Sequence, residues 1–203
     1  MTQQTLMNTL EAIDRANQAD PNTEQVDGQQ LPREYAYSLH MTRWLFALEP
    51  EPSERMQIAC RAQHLERWTM PRSDYGEGRK NYYQWRLACG RMHGRRAAEI
   101  MAESGYPQEE CERVETIITK RKLREDEDTQ LLEDVACMVF LERYFAGFFE
   151  DNPDFDKEKW LRIVRRTWDK MSPRAHEAAL KLAEGMPAHL LELLQEALAE
   201  PES

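Results

Sequence analysis

The sequence predicts an all-α fold, a helical bundle in one domain, on three observations. Strong helix formers (Ala, Leu, Glu, Arg, Met, Gln) dominate, and only eight of 203 residues are Gly. Apolar residues recur at spacings of three and four in segment after segment. No stretch alternates apolar and polar residues as a half-buried strand would, and no 20–50-residue repeat is present. The length suffices for one domain over residues 1–203, with its core at about 5–195 and an acidic tail, 200–203, expected to be disordered.

The helices follow in order. Apolar residues at 6, 7, 10, 13 and 16 give an amphipathic first helix, which Asp20-Pro21-Asn22 ends. A polar loop with the turn signal Asp27-Gly28 leads to Leu31. Pro32 suits the first turn of a second helix, about 32–49, closed by Pro50 and Pro52. Ser53 caps a third, about 54–68, apolar almost all round and therefore central. Residues 69–79 form a loop with one Pro and two Gly. A long fourth helix runs from about 79 to Ser104, with Gly105 as its C-cap.

Pro107 opens a fifth helix that reaches about Arg121. The charge run from Lys120 to Asp128 changes sign midway, as a helix C-terminus followed by a helix N-terminus would. The sixth helix, about 128–149, is the most apolar and is broken by Asn152-Pro153. Further helices are predicted at about 156–170, 173–184 and 187–199, the last two opened by Ser172-Pro173 and Met186-Pro187.

Composition narrows the function classes. Five Trp and seven Tyr exclude a disordered chain. No apolar run approaches the roughly 20 residues of a membrane span, so no membrane partner is expected. Met1-Thr2-Gln3-Gln4 lacks the parts of a signal peptide, and Cys60, Cys89, Cys111 and Cys137 are widely spaced on helical patterns. They read as reduced core thiols in a cytoplasmic protein. The net charge of −10 argues against general nucleic-acid affinity. From Arg61 to Arg96, however, nine Arg and Lys stand against three acids. Such a basic island is either a solvated face paired with acids elsewhere or an anion site.

Three histidines fall on different predicted helices, each within an apolar stripe: His40 before Trp44, His64 after Cys60, and His93 after Cys89. The sixth helix opens with Glu133-Asp134. Imidazoles and a carboxylate converging from separate helices are how a bundle builds a metal site, and one divalent ion would compensate all four groups. The ligand set read this way is His40, His64, His93 and Asp134. The blander reading makes each His a satisfied core residue and Asp134 a cap or a partner of Arg. Between His64 and His93, Arg67, Arg72, Arg79 and Arg86 are interleaved with Trp68, Tyr75, Tyr82, Tyr83 and Trp85. Arg forks hold phosphate and aromatics stack on bases, which suits an anionic, phosphorylated or nucleotide-like substrate. The counter-reading is a loop pinned by its own aromatics with Arg outside.

The stretches RAQHLERWTMPRSDY, YYQWR with a following His, LEDVACMVFLERYF and WDKMSPRAHEAAL resemble an uncharacterised family known only as domain of unknown function 4202, over about residues 5–195. That resemblance implies no activity. The order of ligands is more distantly similar to the HD superfamily of metal phosphohydrolases. His40 matches its first His, His64 its His-Asp doublet, His93 an intermediate His, and Asp134 its final Asp. Leu65 stands where the doublet's Asp belongs, which argues against a two-metal centre.

The resemblance implies an HD-like bundle holding one divalent ion (Mn, Fe, Zn, Co or Mg) that activates water and polarises a phosphoryl oxygen. Asp134 and Glu133 would be the catalytic carboxylates, and Arg67, Arg72, Arg79 and Arg86 the phosphate clamp. The rival is a non-catalytic helical binding or regulatory protein. Binding of single-stranded RNA through the Arg and aromatic loop is a third reading, opposed by the acidic remainder.

Overall fold

Helices account for nearly all regular structure in a computed structural model that describes residues 3–199. The 200–203 tail lies outside the described residues. The chain divides into two compact units at Leu132/Glu133. The first contains α1 (Gln3–Asn17), a β1–β2 hairpin (Thr23–Val26 and Gln29–Pro32), α2 (Arg33–Leu48), α3 (Glu54–Arg61), α4 (Arg79–Glu103) and α5 (Gln108–Ile118).

The hairpin corrects the polar loop expected at 22–31. Its strands pair Thr23 with Pro32 and Val26 with Gln29, and Asp27 and Gly28 both take positive φ (49° and 83°). Two such residues twist a two-residue turn to match its strands, and Asp-Gly adopts that geometry at little cost. Period-2 hydrophobicity is missing because both strands are largely solvent-facing. Asp20 closes the hairpin base: one oxygen accepts from the Asn22 backbone N–H at 2.9 Å, the other from that of Glu34 at 3.0 Å. The start of α2 is thereby fixed.

Ser53 caps α3, its hydroxyl accepting from Met56 N. The helix then stops at Arg61, seven residues short of the expected end. Asn17 Oδ1 accepts from the Glu66 N–H at 3.2 Å, and Glu66 sits in the left-handed region at φ 55°. That contact with α1 turns the chain, so His64 stands on a turn and not on a helix. Two short 3-10 turns follow, Arg67–Thr69 at the expected end of the third helix and Arg72–Tyr75 within the expected 69–79 loop.

Against α5 the long α4 packs through Gly94. A Cβ there would lie 3.0 Å from Glu115 Cγ and 3.2 Å from Glu115 O. In an ordinary helix interior Gly→Ala stabilises by about 1 kcal/mol. Here Gly94→Ala is expected to destabilise by about 1–2 kcal/mol, because two helices must part to admit the methyl group. Thermal denaturation checks the sign, and a stabilised variant contradicts the close approach.

Glu127–Val139 forms α6, which begins in the first unit and continues into the second. A π-helical turn at Phe140–Tyr144 leads to α7 (Phe145–Glu150), so the expected 128–149 helix is interrupted. The second unit continues with α8 (Lys157–Trp168), α9 (Pro173–Ala183) and α10 (Ala188–Ala199). Phe145, Phe148, Phe149 and Phe155 gather round Trp160, with ring centroids 4.7–6.4 Å apart. Such edge and tilted contacts add to the burial that holds α7 against α8. His176 stacks on Trp168 at 3.8 Å, and its Nε2 donates to the Trp168 carbonyl, which makes it a packed residue of α9.

Candidate functional site

The first unit contains a cleft of about 410 Å³, within the range of small-molecule sites. Three stretches wall it: the turn after α3 (Gln63, His64, Arg67), the first half of α4 (from Tyr83 to His93), and the end of α5 (Ile118 to Arg121). Five cations line it, Arg67, Arg86, Arg91, Lys120 and Arg121, and none of the lining residues is Asp or Glu. In a chain of net charge −10, this is a local inversion of sign. Gln63 is on the same wall; among the described residues its buried Oε1 has no hydrogen-bond partner. A ligand N–H or O–H would supply one.

His64 organises the floor. Its ring stacks on Tyr37 at 3.9 Å, with 11° between planes. Arg67 Nη1 lies 2.6 Å from His64 Nε2, and Glu34 Oε2 lies 3.2 Å from His64 Nδ1. A guanidinium has only donors, so Nε2 accepts and the ring proton belongs on Nδ1, facing the carboxylate. Burial, with the Arg67 charge second, holds the His64 pKa well below its usual value, so the ring is neutral at pH 7. Arg67 also sits over the Trp85 ring at 4.7 Å, and Trp85 Nε1 donates to the Met70 carbonyl at 2.8 Å. The guanidinium is therefore held from two sides.

Glu34 is buried, and that burial pushes its carboxyl up to about 7, despite the nearby Arg67. His93 donates through Nδ1 to the Leu65 carbonyl at 2.7 Å, a tautomer that leaves Nε2 as acceptor. Burial, with His64 beside it, lowers its pKa to about 3.

Among the proposed metal ligands, the structure brings His64 and His93 together, ring centroids 5.9 Å apart. His40 instead faces Glu24, with Nε2 3.7 Å from Oε1. Asp134 belongs to the second unit, where Oδ1 accepts from Ser172 N at 2.8 Å and Oδ2 from Ser172 Oγ at 2.5 Å. Glu133 is buried there near Lys170 Nζ, at 3.6 Å. Among the described residues no group of three or more His, Cys, Asp or Glu is placed to share an ion. Arg67 occupies the His64 Nε2 lone pair, so as the side chains stand that nitrogen is not open to a metal ion. The four cysteines are buried, and none of them is in a disulfide.

Two of the four proposed phosphate-binding arginines, Arg67 and Arg86, line the cleft. Arg72 donates to the Gly76 carbonyl, and Arg79 lies over Tyr83 at 5.5 Å. Both are local fasteners of an aromatic segment. Sequence reasoning missed Glu34, Arg91, Lys120 and Arg121. The positive end of the 120–128 charge run was the available signal, read as a helix terminus.

A family model described as "Domain of unknown function (DUF4202)" matches residues 7–194. No curated protein and no solved structure matches the chain. Among the described residues no helix is long and apolar enough to cross a membrane.

Proposed function

This chain belongs to the DUF4202 family, and we propose that it binds a phosphorylated or nucleotide-like small molecule in the first unit's cleft. The observation that carries this reading is five cations around one concavity with no carboxylate on its walls. Like charges brought together cost free energy, and a phosphate group offsets that cost while accepting bidentate hydrogen bonds from Arg. Arg67 is oriented before a ligand arrives, by His64 and Trp85, which reduces the ordering cost of binding. The partnerless Gln63 oxygen favours a ligand that also carries an N–H or O–H, as a nucleoside does.

Whether the bound group is hydrolysed is a second question. The HD-like order of His40, His64, His93 and Asp134 speaks for a metal-dependent phosphohydrolase. The Arg67 guanidinium seated on the His64 Nε2 lone pair favours binding without catalysis, and we adopt that reading. Titration calorimetry with pyrophosphate, AMP and ATP tests it. Arg67→Ala and Arg86→Ala should each weaken binding by about 10–100-fold, the equivalent of one charge-assisted contact. Affinity should also fall as salt rises. No heat with any of these anions at millimolar concentration refutes the proposal. Phosphate release that appears only with added manganese or cobalt restores the hydrolase.

A further inference from the structure

Lys120 follows the C-terminus of α5 at the position where helices ordinarily place Gly. Its φ is +54°, in the left-handed region that a side chain with a Cβ occupies only at a cost. The corner is firmly built on both sides. Thr119 caps α5, its hydroxyl donating to the Glu115 and Thr116 carbonyls. Downstream, Arg113 binds both Asp126 oxygens at 2.7 and 3.0 Å and Asp128 at 2.6 Å. Between these anchors the chain presents Lys120 and Arg121 to the cleft. Lys120 is half-buried while Arg121 is exposed. The Lys120 charge acts on both His64 and Cys60, so its ammonium is felt at the cleft floor.

Two sets of cations result. Arg67 sits on the floor with His64, and Lys120 and Arg121 form a wall from a separate segment. One phosphate group can meet one of these two sets, and a second, linked phosphate is needed to meet the other. We infer that the cleft is selective for ligands with two or more linked phosphates, and that the left-handed Lys120 corner is the element reading the second phosphate. Arg67 and the α4 arginines hold the first. This inference rests on the anion-binding reading above. It adds the ligand class and explains why a costly backbone is kept: Gly at 120 would relieve it and remove the charge.

The test compares orthophosphate, pyrophosphate and a single-stranded oligonucleotide by calorimetry on the full chain, wild type and two variants. Lys120→Gly relieves the backbone and removes the ammonium. Lys120→Asn removes the ammonium but keeps a residue that tolerates the left-handed region. Wild type should bind pyrophosphate about 30-fold or more tighter than orthophosphate. Both variants should lose about 10-fold in pyrophosphate affinity, with orthophosphate affinity changed less than about twofold. Lys120→Gly should meanwhile raise Tm by about 2–4 °C. Equal affinity for the two anions, an unchanged preference in both variants, or tighter binding of the oligonucleotide than of pyrophosphate overturns the inference while leaving anion binding in place. Failure of both phosphates to bind overturns the anion-binding reading as well.

Discussion

Asp134→Ala should destabilise the second unit by about 3 kcal/mol. The side chain is fully buried, and its carboxylate accepts from both the backbone N–H and the hydroxyl of Ser172. Ser172 is the N-cap of α9, its hydroxyl in turn accepting from Ala175 N, with Pro173 at the first helical position. The carboxylate therefore ties α6 to the start of α9, where negative charge is favoured by the helix dipole. Hydrogen bonds to a charged group contribute about 1.5–3 kcal/mol each, and alanine leaves a buried donor unmet. Asp134→Asn keeps one acceptor and should cost about half as much. Denaturant unfolding measures both. The loss should be the same with and without manganese. If manganese stabilises the wild type but not Asp134→Ala, Asp134 is a metal ligand and not a cap.

Helix boundaries were legible wherever a local signal wrote them. Pro32, Ser53, Ser172 and the Gly105 turn all lie where the sequence alone puts helix ends. What local chemistry did not write was lost. The turn after α3 is pinned by Asn17, 49 residues before the Glu66 N–H it captures, and no window around His64 contains that information. The hairpin has the turn residues but no buried face, so periodicity was silent. In the cleft, Arg67 and Arg86 were legible because aromatics surround them. Lys120 and Arg121 were not, because a left-handed corner redirects a run of charge that the sequence shows only as a run. Glu34 stands in the first turn of α2 and looks like an ordinary dipole partner. Its role as the buried neighbour of His64 is a tertiary fact.

That burial makes Glu34→Gln the most informative substitution in the first unit. The folded carboxyl titrates near 7, against an ordinary value of 4.5. A carboxyl whose pKa rises on folding contributes stability that is complete below 4.5 and lost as pH climbs to about 7. The loss is roughly 3 kcal/mol, by 1.36 kcal/mol per unit. His93, lowered to about 3 from 6.5, has the opposite sign: its contribution is present above 6.5 and disappears as acid approaches 3. His64 shifts in the same direction as His93. Wild-type stability is thus pulled both ways between pH 4.5 and 6.5, and the variant separates the two.

Glutamine keeps an oxygen for the His64 Nδ1 proton and removes the buried charge. Relative to wild type, Glu34→Gln should be near neutral at about pH 4, gain steadily through pH 5, 6 and 7, and level off about 2–3 kcal/mol more stable at pH 8. Chemical denaturation at each pH reads this directly, and a difference that does not change with pH means the carboxyl is not raised. A residue whose removal stabilises the fold is held there by something other than folding. Glu34 holds the His64 ring by its Nδ1 side, His64 holds Arg67, and Arg67 faces the cleft. The stability lost at neutral pH is therefore expected to return as affinity. Glu34→Gln should weaken pyrophosphate binding at pH 8 by a smaller factor than Arg67→Ala does, because the amide oxygen holds the Nδ1 proton less strongly than the carboxylate and the effect reaches Arg67 through two contacts.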